Sequence, residues 1–126
     1  MLRPVAARSA TVEGAVLTKA LVRAAERLGL SNKAAGRVIG VSEATMSRIG
    51  SGTYVLARGD KPFELATLLI RLFRSLDAIV GGDETVARAW LKAENSALGG
   101  RPIEKIQTVS GLVDVIAYLD ARRAVV

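Results

Sequence analysis

Ser31-Asn32-Lys33-Ala34-Ala35-Gly36-Arg37-Val38-Ile39-Gly40-Val41-Ser42-Glu43-Ala44-Thr45-Met46-Ser47-Arg48-Ile49 spells two short helices and the turn between them. Ser31 and Ser42 each stand where a helix N-cap belongs, because a serine oxygen can accept from a backbone N–H two or three residues on. The first helix runs through Val38 and Ile39, and Gly40 breaks it. The second runs from about Glu43 to Ile49. A helix-turn-helix needs a small residue where its helices cross most closely, and Gly36 supplies it. About four residues later it needs a glycine where the turn takes an awkward backbone angle, and Gly40 supplies that. Met46 and Ile49 give the second helix an apolar inner face, and Val41 closes the turn. A plain helical hairpin could use any one of these features; all of them in register favour the helix-turn-helix.

In that motif the second helix enters the major groove with its N-terminus first. Its outward residues are Ser42, Glu43, Ala44, Thr45, Ser47 and Arg48. The Arg48 guanidinium can bond bidentately to a base or a phosphate. Thr45 and Ser47 can donate to base edges or phosphates. Glu43 is repelled by phosphate, so it either reads a cytosine amine or lies off the backbone. Asn32 and Lys33 begin the first helix, where phosphate contacts form. The candidate DNA contacts are therefore Asn32, Lys33, Ser42, Glu43, Thr45, Ser47 and Arg48, each of which could equally be a plain surface residue.

Outward from this core the helical pattern continues in both directions. Residues 1–10 are rich in Arg and Ala and show no clear period, which predicts a flexible arm. From Val12, Leu17, Leu21, Ala24, Ala25 and Leu28 recur at spacings of three and four, with Lys19, Arg23 and Arg27 on the other side. Gly29 is a natural stop. After Gly50-Ser51-Gly52 an irregular stretch reaches Asp60-Lys61-Pro62, a helix start with proline in the first turn. The helix that follows is the longest and carries Phe63, Ala66, Leu69, Ile70, Phe73, Leu76 and Val80 as a wide apolar stripe. Gly81-Gly82 ends it. Asp83-Glu84 opens a shorter helix bearing Val86, Trp90 and Leu91, with Trp90 read as core. A polar link runs from Asn95 to Pro102. A short turn holds Ile103 and Ile106, and a last helix from about Ser110 to Arg123 carries Leu112, Val113, Ile116 and Leu119. No strand alternation or internal repeat is visible, so the fold class is all-α.

Composition narrows the function. The chain has 126 residues, half of them hydrophobic, and only five aromatic side chains. Its core must be built from Leu, Val, Ile and Ala, which suits packed helices. It contains no Cys and no His, which excludes disulfides, thiol nucleophiles, imidazole bases and the usual zinc ligands. No cofactor and no metal are expected, and a cysteine-free chain suits a reducing cytoplasm. No apolar window is long enough for a transmembrane helix, and no apolar signal core follows Arg3 and Arg8. The net charge of +6 is unevenly placed. Residues 1–75 hold 12 Lys and Arg against 5 Asp and Glu, a balance of +7. Residues 76–126 hold 6 against 7, a balance of −1. One half is suited to a polyanion and the other is not.

The C-terminal half carries Trp90-Leu91, then Asn95-Ser96-Ala97-Leu98-Gly99-Gly100-Arg101-Pro102, then Gly111-Leu112, and Val115-Ile116-Ala117-Tyr118-Leu119-Asp120-Ala121-Arg122-Arg123. That order resembles the toxin-binding domain of the Xre/MbcA/ParS antitoxin family, and the preceding Xre-like helix-turn-helix is similar to that family too. The resemblance covers about Leu17 to Arg123. It departs from the pattern at Gly36, where such motifs more often carry Ala. The link from Gly50 to Asp60 is also rich in glycine and ends in an acid. On this reading the domains are a flexible arm at 1–10, an Xre-like helix-turn-helix at 11–61, a long connecting helix at 62–82 that is a dimerisation candidate, and a toxin-binding domain at 83–126.

The resemblance implies a cognate toxin of the RES or ADP-ribosyltransferase type, an enzyme acting on NAD. The C-terminal domain would cover its active-site cleft and block the dinucleotide. The N-terminal half would dimerise and bind promoter DNA. On the matching positions Asn95, Leu98, Gly99, Gly100, Arg101, Pro102, Arg122 and Arg123 are expected to face the toxin. An arginine there can pair with a carboxylate of the enzyme. A helix stop followed by a proline-started helix would explain Gly99, Gly100 and Pro102 equally well. The chain thus reads as an antitoxin homodimer, not an enzyme and not a membrane protein. The alternative is a stand-alone helix-turn-helix repressor whose C-terminal half only dimerises. An enzyme would need a carboxylate cluster, and Glu94, Glu104 and Asp114 show no catalytic spacing.

Overall fold

A computed structural model describes residues 5–125, with side chains from 12 to 124. It has seven helices among the described residues: α1 Val5–Leu28, α2 Asn32–Ile39, α3 Glu43–Ser51, α4 Lys61–Val80, α5 Glu84–Lys92, α6 Pro102–Lys105 and α7 Val109–Val125. The fold is all-α, with one isolated bridge between Asn95 and Gly100.

The predicted stops and starts hold where a side chain enforces them. Ser31 accepts from the Ala34 N–H at 3.1 Å, Ser42 from the Thr45 N–H at 3.0 Å, and Asp83 from the Val86 N–H at 3.2 Å. Asp60 occupies the cap position of α4 without a side-chain cap bond, and Pro62 sits in the first turn. Gly29, Gly40, Gly52 and Gly81 end their helices with φ between 62° and 85°, the left-handed region that costs other residues about 1 kcal/mol or more.

One boundary differs from the sequence reading. α1 starts at Val5, so residues 5–10, expected as an arm, are its first turns; residues 1–4 lie outside the described residues. Ala6, Ala7, Arg8 and Ala10 are strong helix formers, and α1 needs no apolar stripe over those turns to continue. The connecting helix is also more than a connection. α4 packs against α1, α2, α5 and α7, and Ala66, Leu69, Leu72 and Leu76 are all at most 1 % exposed. Being covered on several sides, it buries Leu72 and Ser75, which a single stripe leaves out. In α7 the buried set is Leu112, Val115, Ile116 and Leu119, while Val113, expected inside, is 48 % exposed.

α5 and the 52–60 segment are both fastened to α1. Arg88 on α5 donates to the carbonyls of Glu26 at 2.6 Å and Arg27 at 3.2 Å. Those carbonyls lie in the last turn of α1, where backbone acceptors have no intrahelical partner and the helix dipole favours a cation. Thr18, buried in α1, donates to the Gly14 carbonyl at 2.6 Å and accepts from the Leu56 N–H at 3.1 Å. That pair fastens the irregular 52–60 segment to α1, and Glu13 adds an ion pair to Arg58 at 2.7 Å.

Glycine is required at the crossings. A Cβ on Gly36 would lie 2.7 Å from the Val41 carbonyl oxygen, and one on Gly111 would collide with the Lys105 carbonyl oxygen. Gly50, also helical, faces open space. Gly36→Ala should therefore lose about 1–3 kcal/mol from overpacking, outweighing the ~1 kcal/mol that alanine gains in a helix. Gly50→Ala should leave stability unchanged or raise it by up to about 1 kcal/mol. Urea denaturation of the two variants, read as midpoints at constant slope, checks the opposite signs.

Candidate functional site

The helix-turn-helix presents its candidates unevenly. Asn32 and Lys33 are exposed in the first turn of α2, and Glu43, Ser47 and Arg48 are exposed on α3. Ser42, Thr45 and Arg48 form a chain along the helix. Besides capping, the Ser42 hydroxyl donates to Thr45 Oγ1 at 3.0 Å, and Arg48 Nη2 donates to the same oxygen at 3.1 Å. Both acceptor positions of that hydroxyl are filled, so its proton is left to donate outward, as a phosphate or base contact requires. Ser42 is committed to the cap and acts on α3 geometry. Glu43 lies at the positive end of the α3 dipole, which favours a carboxylate there. Ala44 is exposed beside it.

The C-terminal loop is organised by Asn95. Its carbonyl accepts from the N–H groups of Leu98, Gly99 and Gly100 at 3.2, 2.9 and 3.2 Å, and its own N–H donates to the Gly100 carbonyl at 3.2 Å. Asn95 Oδ1 accepts a second time from Leu98 N–H, at 3.2 Å. Asn95 thus holds the loop's shape. Leu98 is half-buried against the core, and Gly99 has a φ of 76°. Arg101 is exposed and paired with Glu104 at 2.7 Å. Pro102, expected to face a partner, is buried at the start of α6. Ser96 and Ala97, not singled out from the sequence, are exposed at the loop tip.

The two terminal arginines have different surroundings. Arg123 Nη1 donates to Ser75 Oγ at 3.2 Å. Ser75 in turn donates to Asp120 at 2.7 Å, and Arg71 bonds the other Asp120 oxygen at 2.6 Å. This network seals α4 to α7. The Ser75 hydrogen bond, with the Arg71 hydrogen bond and charge and the Arg123 charge, outweighs desolvation and holds the Asp120 carboxyl below its ordinary value. Arg122 is exposed and turns back on Tyr118, one helical turn earlier. Its Nη1 lies 3.2 Å from the Tyr118 hydroxyl, and the guanidinium carbon lies 5.4 Å from the ring centroid. Tyr118 stacks on Trp90, centroids 6.2 Å apart at 20°. Trp90, read as core, is half-buried, with one side packed on the core.

An apolar groove of about 580 Å³ separates α1 from α4, lined among others by Val12, Val16, Leu17, Phe63 and Ile70. Val12 and Val16 are 61 and 67 % exposed. Among the described residues no group of three or more Asp and Glu is placed to hold a metal, and no helix is long and apolar enough to cross a membrane.

Comparison with known families follows this division. A family model described as the antitoxin Xre-like helix-turn-helix domain matches residues 7–74. A second, the antitoxin Xre/MbcA/ParS C-terminal toxin-binding domain, matches residues 75–124. The two meet inside α4. No curated protein matches the chain as a relative.

The Asp120 network makes an acid-range prediction. A carboxyl whose value is lowered in the folded state stabilises the fold fully above its unfolded value, about 3.9. That contribution is lost as pH falls through the lower folded value. Thermal melts should show wild type more stable than Asp120→Asn at pH 6, with the gap closing below about pH 4. A gap that stays constant with pH would show that the carboxylate charge does not hold the seam.

Proposed function

Because the chain belongs to the Xre/MbcA/ParS antitoxin family, with a helix-turn-helix and a toxin-binding domain, we propose that it neutralises an NAD-using toxin of the RES or ADP-ribosyltransferase type in the cytoplasm. The match of residues 75–124 to a toxin-binding domain carries this reading. In it the chain binds and is not an enzyme. The C-terminal unit covers the toxin's cleft and keeps the dinucleotide out. The Asn95 loop and Arg101 present one part of the contact, and Arg122 another. Leu98, Gly99 and Gly100 set the loop's form, and Arg123 holds α7 in place.

The same reading gives the N-terminal half the operon's own promoter. Lys33 and Arg48 contact phosphate or base, and Asn32, Thr45 and Ser47 add hydrogen bonds. Two copies associate through the apolar groove between α1 and α4, where burying Val12, Val16 and Phe63 removes exposed apolar surface from water. A homodimer places two recognition helices on two half-sites.

The test is growth and cellular NAD after inducing the neighbouring reading frame, with and without this chain. Induced alone, the neighbour should arrest growth and deplete NAD; co-expression should restore both. A harmless neighbour, or one this chain fails to restrain, favours the stand-alone repressor instead. For the DNA half, Lys33→Ala and Arg48→Ala should each weaken binding to the upstream promoter by about tenfold, read by gel shift at fixed salt.

A further inference from the structure

The C-terminal unit has four described arginines, and three are already occupied. Arg88 is spent on the carbonyls of Glu26 and Arg27. Arg101 is paired with Glu104. Arg123 bonds Ser75 beside Asp120. Arg122 differs. Among the described residues its hydrogen bond and its cation–π contact are both with Tyr118, and no carboxylate lies within ion-pair distance. No described carboxylate therefore neutralises its positive charge.

The guanidinium is also held in place. It lies over the Tyr118 ring, which lies on Trp90, and both rings are half-buried with one side against the core. A guanidinium resting on an aromatic face is weakly hydrated and keeps its other N–H groups in a plane that fits a carboxylate. Side chains fixed before binding lose little rotamer freedom on contact. Trp, Tyr and Arg are also the residue types that dominate interface energetics.

We propose that the Trp90–Tyr118–Arg122 stack is the anchor of the toxin contact, with Arg122 seated on a carboxylate of the toxin and the ring edges against apolar surface around it. This rests on the antitoxin reading above. The partner is a protein, not DNA, because the stack stands on α5 and α7, inside the toxin-binding match, and the DNA candidates stand on α2 and α3. Tyr118 and Trp90 thereby become binding residues that sequence reasoning did not assign.

Trp90 is the one tryptophan of the chain, which makes the site directly observable. The full chain, grown with a fluorinated tryptophan, gives a single fluorine NMR signal that is titrated with the unlabelled product of the neighbouring reading frame. The signal should shift on binding. Arg122→Ala and Tyr118→Leu should each weaken binding by about thirtyfold or more, and Arg122→Lys by about tenfold. Arg122 is exposed, so Arg122→Ala should melt close to wild type; it decides the matter even if Tyr118→Leu fails to fold. If wild type binds while the signal stays put and Arg122→Ala binds within about threefold, the anchor is wrong and the antitoxin reading survives. If Arg122→Ala weakens promoter binding and spares the toxin, the stack is a DNA contact and the proposal is overturned. If wild type does not bind the neighbour at all, the antitoxin reading fails and the anchor fails with it.

Discussion

The burial of α4 is the constraint on which the rest of the molecule depends. Leu69, Leu72 and Leu76 are enclosed by helices from both halves of the chain. α1 and α2 pack on α4 from the N-terminal half, and α5 and α7 from the C-terminal half. The family boundary at residues 74 and 75 falls inside this helix. The two families of contact therefore share one core, and removing either half would leave a broad apolar face in water. Around that core Arg88 joins α5 to α1, and the Arg71–Asp120–Ser75–Arg123 network joins α4 to α7.

A shared core has a functional consequence. The candidate DNA residues sit on α2, which packs on α4, and on α3, which packs on α2 and α1; the candidate toxin residues sit on the loop after α5 and on α7. Each surface is attached to the same buried helix without a linker between them. Any coupling between them would pass through the packing of α4 or the α1–α5 contact, and it would act equally in both directions.

Much of this was legible in the sequence because the signals were local. Ser31, Ser42 and Asp83 cap the helices they precede, and Gly29, Gly40 and Gly81 end theirs. Gly36 was singled out for a close crossing, and the Val41 carbonyl is what it approaches. The all-α class followed from those signals, and the family resemblance from the Asn95–Pro102 and Val115–Arg123 stretches together with the helix-turn-helix. What was not legible depends on residues far apart in the chain. Leu72 and Ser75 lie off the α4 stripe and are buried only because several helices surround α4. Thr18 and Leu56 meet across the 52–60 segment, and Arg88 reaches back to α1. The start of α1 was placed too late because alanine-rich turns show no apolar period. In the site, Tyr118 and Arg122 stand four residues apart on one helix face, a spacing that could have suggested contact. The stacking of Tyr118 on Trp90 could not be read that way. The burial of Pro102 was not legible either, because the same residue type serves a loop surface and a buried helix start.

Amide hydrogen exchange on the full chain, alone and saturated with the product of the neighbouring reading frame, tests the central claim most directly. The account predicts new protection over residues 94–101 and in the last turns of α7, with α2 and α3 unchanged. Protection confined to residues 32–49, or none anywhere, would contradict it.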